Sequence, residues 1–280
     1  MPNSRAAPEV TMDFANKVIV VTGGGSGIGQ ACCYEFANRH GIVAIVDRDA
    51  QRAKETEQRI ASRGGRAEMF AADVSSDSEV QALVSAIAKK MGGIDVLVNN
   101  AGIQRYGTAT TTSEQEWDEV LDINLKGAFL MARYCIPQMI ERGGGAIVNT
   151  ASVQSVTAQR NSLAYVVSKH GLLGLTRCLA LDYAKQKVRA NCVMPGAIDT
   201  PMLRWAASLD EHPEKVLDAC NRLHALGRMG SADEVARVIA FLASDDASFV
   251  TGAAVAVDGG LLTPTGGMMF QEAGTGAKKA

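Results

Sequence analysis

The stretch Thr22-Gly23-Gly24-Gly25-Ser26-Gly27-Ile28-Gly29 follows the apolar run Val18 to Val21 and precedes a helix-like segment from Gln30 to Arg39. Strand, glycine turn and helix in that order are how a parallel α/β sheet begins. The turn has its own chemistry. Glycines reach positive φ and carry no side chain to block a close approach, and the N–H groups at a helix N-terminus favour an anion. A diphosphate fits that description. The literal G-x-G-x-x-G pattern is absent, since counting from Gly23 gives G-x-x-x-G-x-G through Gly27 and Gly29. An ATP-binding loop matches from Gly24 to Gly29 but then needs Lys and a hydroxyl where Gln30-Ala31 stand. A glycine turn with no ligand is the plain alternative for this segment taken alone.

A second buried-strand run, Gly41 to Val46, ends in Asp47, 24 residues beyond Gly23. An acid at a strand end at that distance accepts hydrogen bonds from ribose hydroxyls and repels a 2′-phosphate, which favours NAD over NADP. Arg48 follows it and is the residue that could receive such a phosphate.

The chain has 280 residues, 47% of them hydrophobic, and a formal net charge of −2 with the signs interspersed. That is enough apolar content for one large α/β domain or two small ones, and the charge pattern offers no electrostatic footprint for nucleic acid or an anionic membrane. No apolar run reaches the roughly 18 residues of a membrane helix, and the N-terminal stretch has no apolar core of signal-peptide length. A soluble, cytoplasmic protein is expected. Cys32, Cys33, Cys135, Cys178, Cys192 and Cys220 form no C-x-x-C pair and read as reduced packing residues. The histidines, His40, His170, His212 and His224, lack ligand spacing, so no metal is expected.

Strands and helices alternate after the first turn. Residues 1–15 read as a loose lead-in. Asp49 caps a helix that Gly64-Gly65 ends; Arg66 to Ala72 is a third strand leading to Asp73-Val74; Ser76 to Met91 is a helix; and Ile94 to Val98 is a strand stopping at Asn99-Asn100-Ala101-Gly102. Ser113 with Glu116 makes a capping box that opens a long helix to about Arg142, which Pro137 can kink. Ala146 to Ala151, Val188 to Met194 and Ala253 to Val257 are further strands, and Leu163 to Lys185 a second long helix. The expectation is an α/β, Rossmann-type, doubly wound, seven-stranded parallel sheet with helices on both faces. One domain spans 16–260, with 201–228 as a substrate lid and 261–280 as an appended extension.

Tyr165 and Lys169 stand four apart on a predicted helix, one face of which then carries a phenol and an ammonium. Ser152 ends the preceding strand, on the carboxyl edge where Asp47, Asp73 and Asn100 also fall and where open sheets of this kind bind ligands. A phenol with pKa near 10 is a poor base at neutral pH, and a nearby cation lowers it. Taken singly, a Tyr four residues before a Lys is more often a solvated helix face.

Taken together, Val18 to Gly260 resembles the short-chain dehydrogenase/reductase family. The family's T-G-x-x-x-G-x-G is here Thr22, Gly23, Gly27 and Gly29, with Ser26 and Ile28 between them, and its N-N-A-G is Asn99, Asn100, Ala101 and Gly102. Its catalytic tetrad falls on Asn124, Ser152, Tyr165 and Lys169, and the residues that contact the nicotinamide side fall on Pro195, Gly196, Ile198 and Thr200. The resemblance implies Tyr165 as general acid/base, Lys169 as ribose anchor and depressor of the tyrosine pKa, Ser152 as donor to the reacting carbonyl, Asn124 as holder of a relay water, and Asp73-Val74 as the adenine contact. Small residues such as Gly171, Gly174 and Ala180 on the second long helix fit the pairing of long helices in the family's usual homotetramer, on which Met268-Met269-Phe270 could dock.

The function implied is NAD(H)-dependent interconversion of a secondary alcohol and a ketone by direct hydride transfer. Gln154, Gln104, Arg105 and Arg204, with Trp205 as a stacking wall, suggest a polar sugar- or polyol-like substrate. An aliphatic or 3-oxoacyl ketone reductase is the alternative, and a cofactor-sensing protein without turnover a more distant one. A serine hydrolase would need G-x-S-x-G where Thr150-Ala151-Ser152-Val153-Gln154 stands.

Overall fold

Val18–Thr22 (β1) is buried along its whole length, and the alternation of its side chains decides the layering. Ile19 and Val21 join one apolar cluster, while Val18 and Val20 join another on the opposite face. A strand buried on both faces reads as a continuous apolar run rather than an alternating one, which is the signature of a parallel sheet covered by helices. The computed structural model of the protein describes residues 13–263. The expected docking of Met268-Met269-Phe270 therefore lies outside the described residues, as do residues 1–12.

From β1 the chain passes through Gly27–Asn38 (α1), Ile42–Asp47 (β2), Ala50–Ala61 (α2), Arg66–Ala71 (β3), Asp77–Met91 (α3) and Val96–Asn99 (β4). Glu114–Leu121 (α4) and Gly127–Glu141 (α5) lead to Gly145–Thr150 (β5), Leu163–Asp182 (α6) and Val188–Pro195 (β6). Then come Ile198–Asp199 (β7), Pro201–Ala207 (α7), Pro213–Arg222 (α8), Gly230–Ser231 (β8), Ala232–Ala243 (α9) and Ala254–Val257 (β9). Seven strands form one sheet in the order β3-β2-β1-β4-β5-β6-β9, and every pairing in it is parallel. One face packs on α1 and α9 through Phe36, Val235 and Ile239, the other on α3 and α5 through Ile87, Met131 and Met139. The order reverses between β1 and β4, which opens a crevice at their carboxyl ends.

Two expectations change. The long helix of 114–141 is interrupted by a π-helical turn, Asp122–Lys126, in which the Gly127 N–H reaches back to the Asp122 carbonyl. Residues 13–15 are no loose lead-in. Phe14 is 3% exposed, sits edge-on to Phe36 with ring centroids 4.9 Å apart, and its N–H donates to the Arg39 carbonyl. An isolated aromatic in a polar stretch finds its partner far along the chain, so its burial carries no local signal.

Of the small residues expected to let α6 pair closely with another long helix, Gly171 packs within the chain, where a Cβ would lie 2.6 Å from Leu125, and Ala180 is in the core. Gly174 alone of the three is exposed, with nothing within 4 Å of a Cβ.

Candidate active site

The first glycine turn and the N-N-A-G segment clasp each other across the switch point. Thr22 Oγ1 accepts from the Asn100 and Ala101 N–H groups, each at 3.0 Å, and Asn100 Nδ2 donates to the Thr22 carbonyl at 3.1 Å. Gly23 takes φ +66°, and a Cβ on Gly29 would stand 2.1 Å from the Gly23 carbonyl oxygen, so neither position accepts a side chain cheaply. Asp47 locks the turn from the other side: its carboxylate accepts the Gly25 N–H at 2.9 Å and the Asp49 N–H at 3.0 Å. Ser26, the residue before α1, makes no side-chain cap bond, which leaves the first N–H groups of the helix facing the cleft.

That cleft has a volume of about 700 Å³ and runs along the carboxyl edge of the sheet. Gly23, Ser26, Gly27 and Ile28 line it with Asp47, Arg48, Asp73 and Val74, as do Asn100, Ala101 and Gly102 and, from the end of β6 onward, Pro195, Gly196, Ile198 and Thr200. Gly29 lies behind the turn and acts through packing. An uncapped helix start, a side-chain-free turn and an acid at the end of β2 make a cradle that fits an adenosine diphosphate moiety. Ser75 Oγ at 2.7 Å and the Ser75 N–H donate to Asp73, holding its carboxyl below the usual range against the opposing effect of burial, which is the largest influence on it.

Ser152, Tyr165 and Lys169 all line the same cleft. Ser152 opens a short 3₁₀ turn, Val153–Ser155, in which its Oγ accepts the Gln154 N–H at 3.1 Å while Ser155 Oγ accepts the Ser152 N–H. The serine proton thus remains free to donate. Lys169 is 4% exposed, donates to the Thr150 carbonyl at 2.7 Å, and faces the Tyr165 ring with Nζ 5.5 Å from its centroid. Burial pushes the ammonium down to about 8. Burial also pushes the Tyr165 phenol up to about 12, and the Ser152 hydroxyl pulls it part of the way back. The expected lowering of the phenol by Lys169 is therefore overridden in the protein alone. The ammonium is committed to Thr150, and desolvation outweighs the help that reaches the phenol.

Asn124 is 1% exposed inside the π-helical turn. The extra residue of such a turn re-aims side chains, and these turns concentrate at functional sites. Its Oδ1 accepts the Ile103 N–H at 2.8 Å, and its Nδ2 donates to the Ile103 carbonyl at 2.9 Å and to Ser168 Oγ at 3.1 Å. Asn124 thus ties the N-N-A-G loop to the helix turn that carries Tyr165 and Lys169. A buried chain adds to this: Asn99 donates to Asn149 at 2.9 Å, and Asn149 to Thr176 at 2.8 Å, joining β4, β5 and α6.

The substrate-end expectations divide. Gln154 and Gln104 line the cleft. Arg105 is paired with Glu119, and Arg204 with Asp199, and neither reaches the cleft wall. Trp205 is 42% exposed and stacks on the outside of Tyr106 with centroids 6.2 Å apart, so Tyr106 is the aromatic wall instead. Neighbouring acids captured the two arginines, a side-chain direction that sequence adjacency does not specify. Met202, Leu203, Ala206 and Leu223 complete a largely apolar wall of the cleft. Among the described residues no group of three or more His, Cys, Asp or Glu is placed to hold a metal, and no helix is long and apolar enough to cross a membrane.

The family profile described as enoyl-(acyl carrier protein) reductase matches residues 23–262. A cyclohexanol dehydrogenase of Acinetobacter sp. (strain SE19) is 39% identical over 249 residues, 88% of this chain and 95% of that one. A 2,5-dichloro-2,5-cyclohexadiene-1,4-diol dehydrogenase of Sphingobium indicum is 41% identical over 250 residues, 89% of this chain and 98% of its own length. Among solved structures, ligand-free aldohexose dehydrogenase of Thermoplasma acidophilum superposes with a TM-score of 0.85 at 37% identity, covering 93% of this chain and all of that one.

Proposed function

Because the chain belongs to the short-chain dehydrogenase/reductase family, we propose that it is an NAD(H)-dependent oxidoreductase that interconverts a secondary alcohol and its ketone. The observation that carries this reading is that Ser152, Tyr165 and Lys169 line one cleft with the uncapped, side-chain-free glycine turn. NAD, when bound, supplies the hydride acceptor. Gly23, Ser26, Gly27 and Ile28 would hold its diphosphate, Asp47 its adenosine ribose, Asp73 and Val74 its adenine, and Pro195, Gly196, Ile198 and Thr200 its nicotinamide end.

In the oxidation direction Tyr165 takes the hydroxyl proton, while Ser152 donates a hydrogen bond to the same substrate oxygen and holds it in line. Lys169 keeps two N–H donors beyond the one given to Thr150, and these hold ribose hydroxyls beside the phenol. Asn124 fixes the loop and helix that frame this arrangement: its amide is spent on Ile103 and Ser168, and it does not line the cleft, so it acts by positioning. Residues 201–228 act as the lid, excluding water over the reacting carbon.

For the substrate, one end of the Gln154 amide is bonded to Gln159 and the other is buried without a partner in the cleft. The unpaired atom is the amide oxygen, an acceptor, which favours a ligand carrying a second hydroxyl to donate to it. A compact polyol, cyclic diol or sugar meets that requirement against the apolar wall of Met202, Leu203 and Leu223, and the relatives include enzymes named for such compounds. The same wall is what favours the second reading, a reductase of aliphatic or 3-oxoacyl ketones. Nicotinamide absorbance with aldoses, cyclic diols, plain cyclic alcohols and 3-oxoacyl esters tests both: the diols and polyols are expected to give the highest kcat/KM. A higher value for the ester or the plain alcohol overturns the substrate reading, and no turnover of any alcohol or ketone overturns the function.

A further inference from the structure

His224 lies just beyond α8 and is 4% exposed. Its Nδ1 sits 2.8 Å from the Cys220 carbonyl oxygen, and its Nε2 accepts the Ala197 N–H at 3.1 Å. A carbonyl only accepts and a backbone N–H only donates, so these partners place the proton on Nδ1 and leave Nε2 bare. Two glycines make room for the ring. A Cβ on Gly196 would come within 2.6 Å of Nε2, and one on Gly259 within 3.3 Å of the His224 Cβ.

Ala197 belongs to the loop after β6 that forms the nicotinamide end of the cleft, while Cys220 and Leu223 belong to the lid and line the same cleft. The His224 side chain thus joins the lid's return leg to that loop. The surrounding charges are engaged elsewhere. On α8, Asp218 pairs with Arg222; on β7, Asp199 pairs with Arg204; at the end of the lid, Arg228 pairs with Glu234. On the turn packed against the ring, Asp258 accepts the Gly260 and Leu262 N–H groups. Cys220 presents its carbonyl to the ring.

We propose that His224 is a positioning residue: as a neutral imidazole it latches the lid to the Pro195–Ala197 loop, so cofactor affinity depends on its bare Nε2. The proposal rests on the reading of the cleft as a nicotinamide dinucleotide site. Removing the acceptor at Nε2 leaves the part-buried Ala197 N–H without its partner and releases the latch.

The test titrates NADH by fluorescence into the full chain, as wild type, His224→Leu and His224→Gln, with hydrogen exchange of residues 201–228 followed without cofactor. His224→Leu keeps the bulk without the bonds, and is expected to bind about tenfold more weakly than wild type and to lose lid protection. His224→Gln, whose amide can accept from Ala197 and donate to Cys220, is expected to bind and to protect the lid near wild type. A folded His224→Leu that binds NADH within about twofold of wild type, or a folded His224→Gln as impaired as His224→Leu, overturns the latch. Wild type that fails to bind NADH, yet whose lid protection falls with His224→Leu and is kept by His224→Gln, overturns the cofactor reading and leaves the latch standing.

Discussion

The Lys169 ammonium reaches from α6 to the end of β5, where it donates to the Thr150 carbonyl oxygen at 2.7 Å, and that is the bond the fold gives it. Held there with its charge largely out of water and its pKa pushed down to about 8 from 10.5, it costs stability at neutral pH. A group whose folded pKa is depressed below its unfolded value as a cation is destabilising below the folded pKa, and the cost disappears as pH rises toward the unfolded one. Lys169→Met should therefore abolish turnover and yet raise stability at pH 7 by about 1–3 kcal/mol. The gap between variant and wild type should close between pH 8 and 10.5. Urea unfolding across that range measures it, and a Lys169→Met that is less stable at pH 7 would contradict the argument.

Tyr165→Phe keeps the ring and removes the transferable proton. Turnover should drop by about 10³-fold or more while NADH affinity changes little. Burial holds the phenol at about 12, so few molecules carry phenolate at neutral pH. In the wild type, kcat/KM for alcohol oxidation should rise with pH above neutrality, while ketone reduction should be favoured toward lower pH. Initial rates in both directions from pH 6 to 10 check the sign.

Much of this site was legible in the residues themselves. Strands covered on both faces read as apolar runs, the glycine turn has few chemical uses, and a Tyr and a Lys four apart on a helix share a face. Other parts left no local trace. The π-helical turn around Asn124 adds a residue without changing composition, so 114–141 reads as one helix. Arg105 and Arg204 lie beside the cleft in sequence, but Glu119 and Asp199 draw them outward. His224 looked like an isolated histidine because one partner is a backbone group 27 residues away and the other its own helix carbonyl.

Asp47 has two tasks, which makes its substitution informative. Both of its oxygens accept backbone N–H groups that shape the glycine turn, and the same carboxylate faces the cleft beside Arg48. Wild type should prefer NAD over NADP by about tenfold or more in kcat/KM. Asp47→Ser should narrow that ratio by removing the repulsion and uncovering Arg48, and should also lower the melting temperature through the lost Gly25 bond. Equal or better wild-type kcat/KM with NADP would defeat the assignment of NAD.

Gly29→Ala tests the clasp at the crevice. The added Cβ would stand 2.1 Å from the Gly23 carbonyl oxygen and 2.5 Å from Asn100 Nδ2, so the turn and the N-N-A-G loop must separate. A loss of about 2–4 kcal/mol is expected, with NADH affinity falling further than stability alone requires, because the turn that moves is the proposed diphosphate cradle. Thermal melts with NADH titration separate the two effects. A variant with unchanged melting temperature and affinity would show that the close approach is not needed.

The outer faces of α5 and α6 present Phe129, Ile140, Val167 and Leu181 to solvent, each between 39% and 82% exposed. Exposed apolar residues gathered on two long helices are what a self-association surface looks like, and we propose the homotetramer common in this family. Gly174 is the place to test it, because it is exposed on α6 and a side chain there would meet nothing within 4 Å of its own chain. Arginine is also a better helix former than glycine by about 0.8 kcal/mol or more. Gly174→Arg should leave the fold of each subunit intact or slightly firmer, while placing a long charged side chain where a second copy of α6 has to approach. Light scattering should show the wild type as a tetramer at micromolar concentration and Gly174→Arg as a smaller species with an unchanged circular-dichroism spectrum. A monomeric wild type rejects the assembly, and a tetrameric Gly174→Arg places the interface on another face.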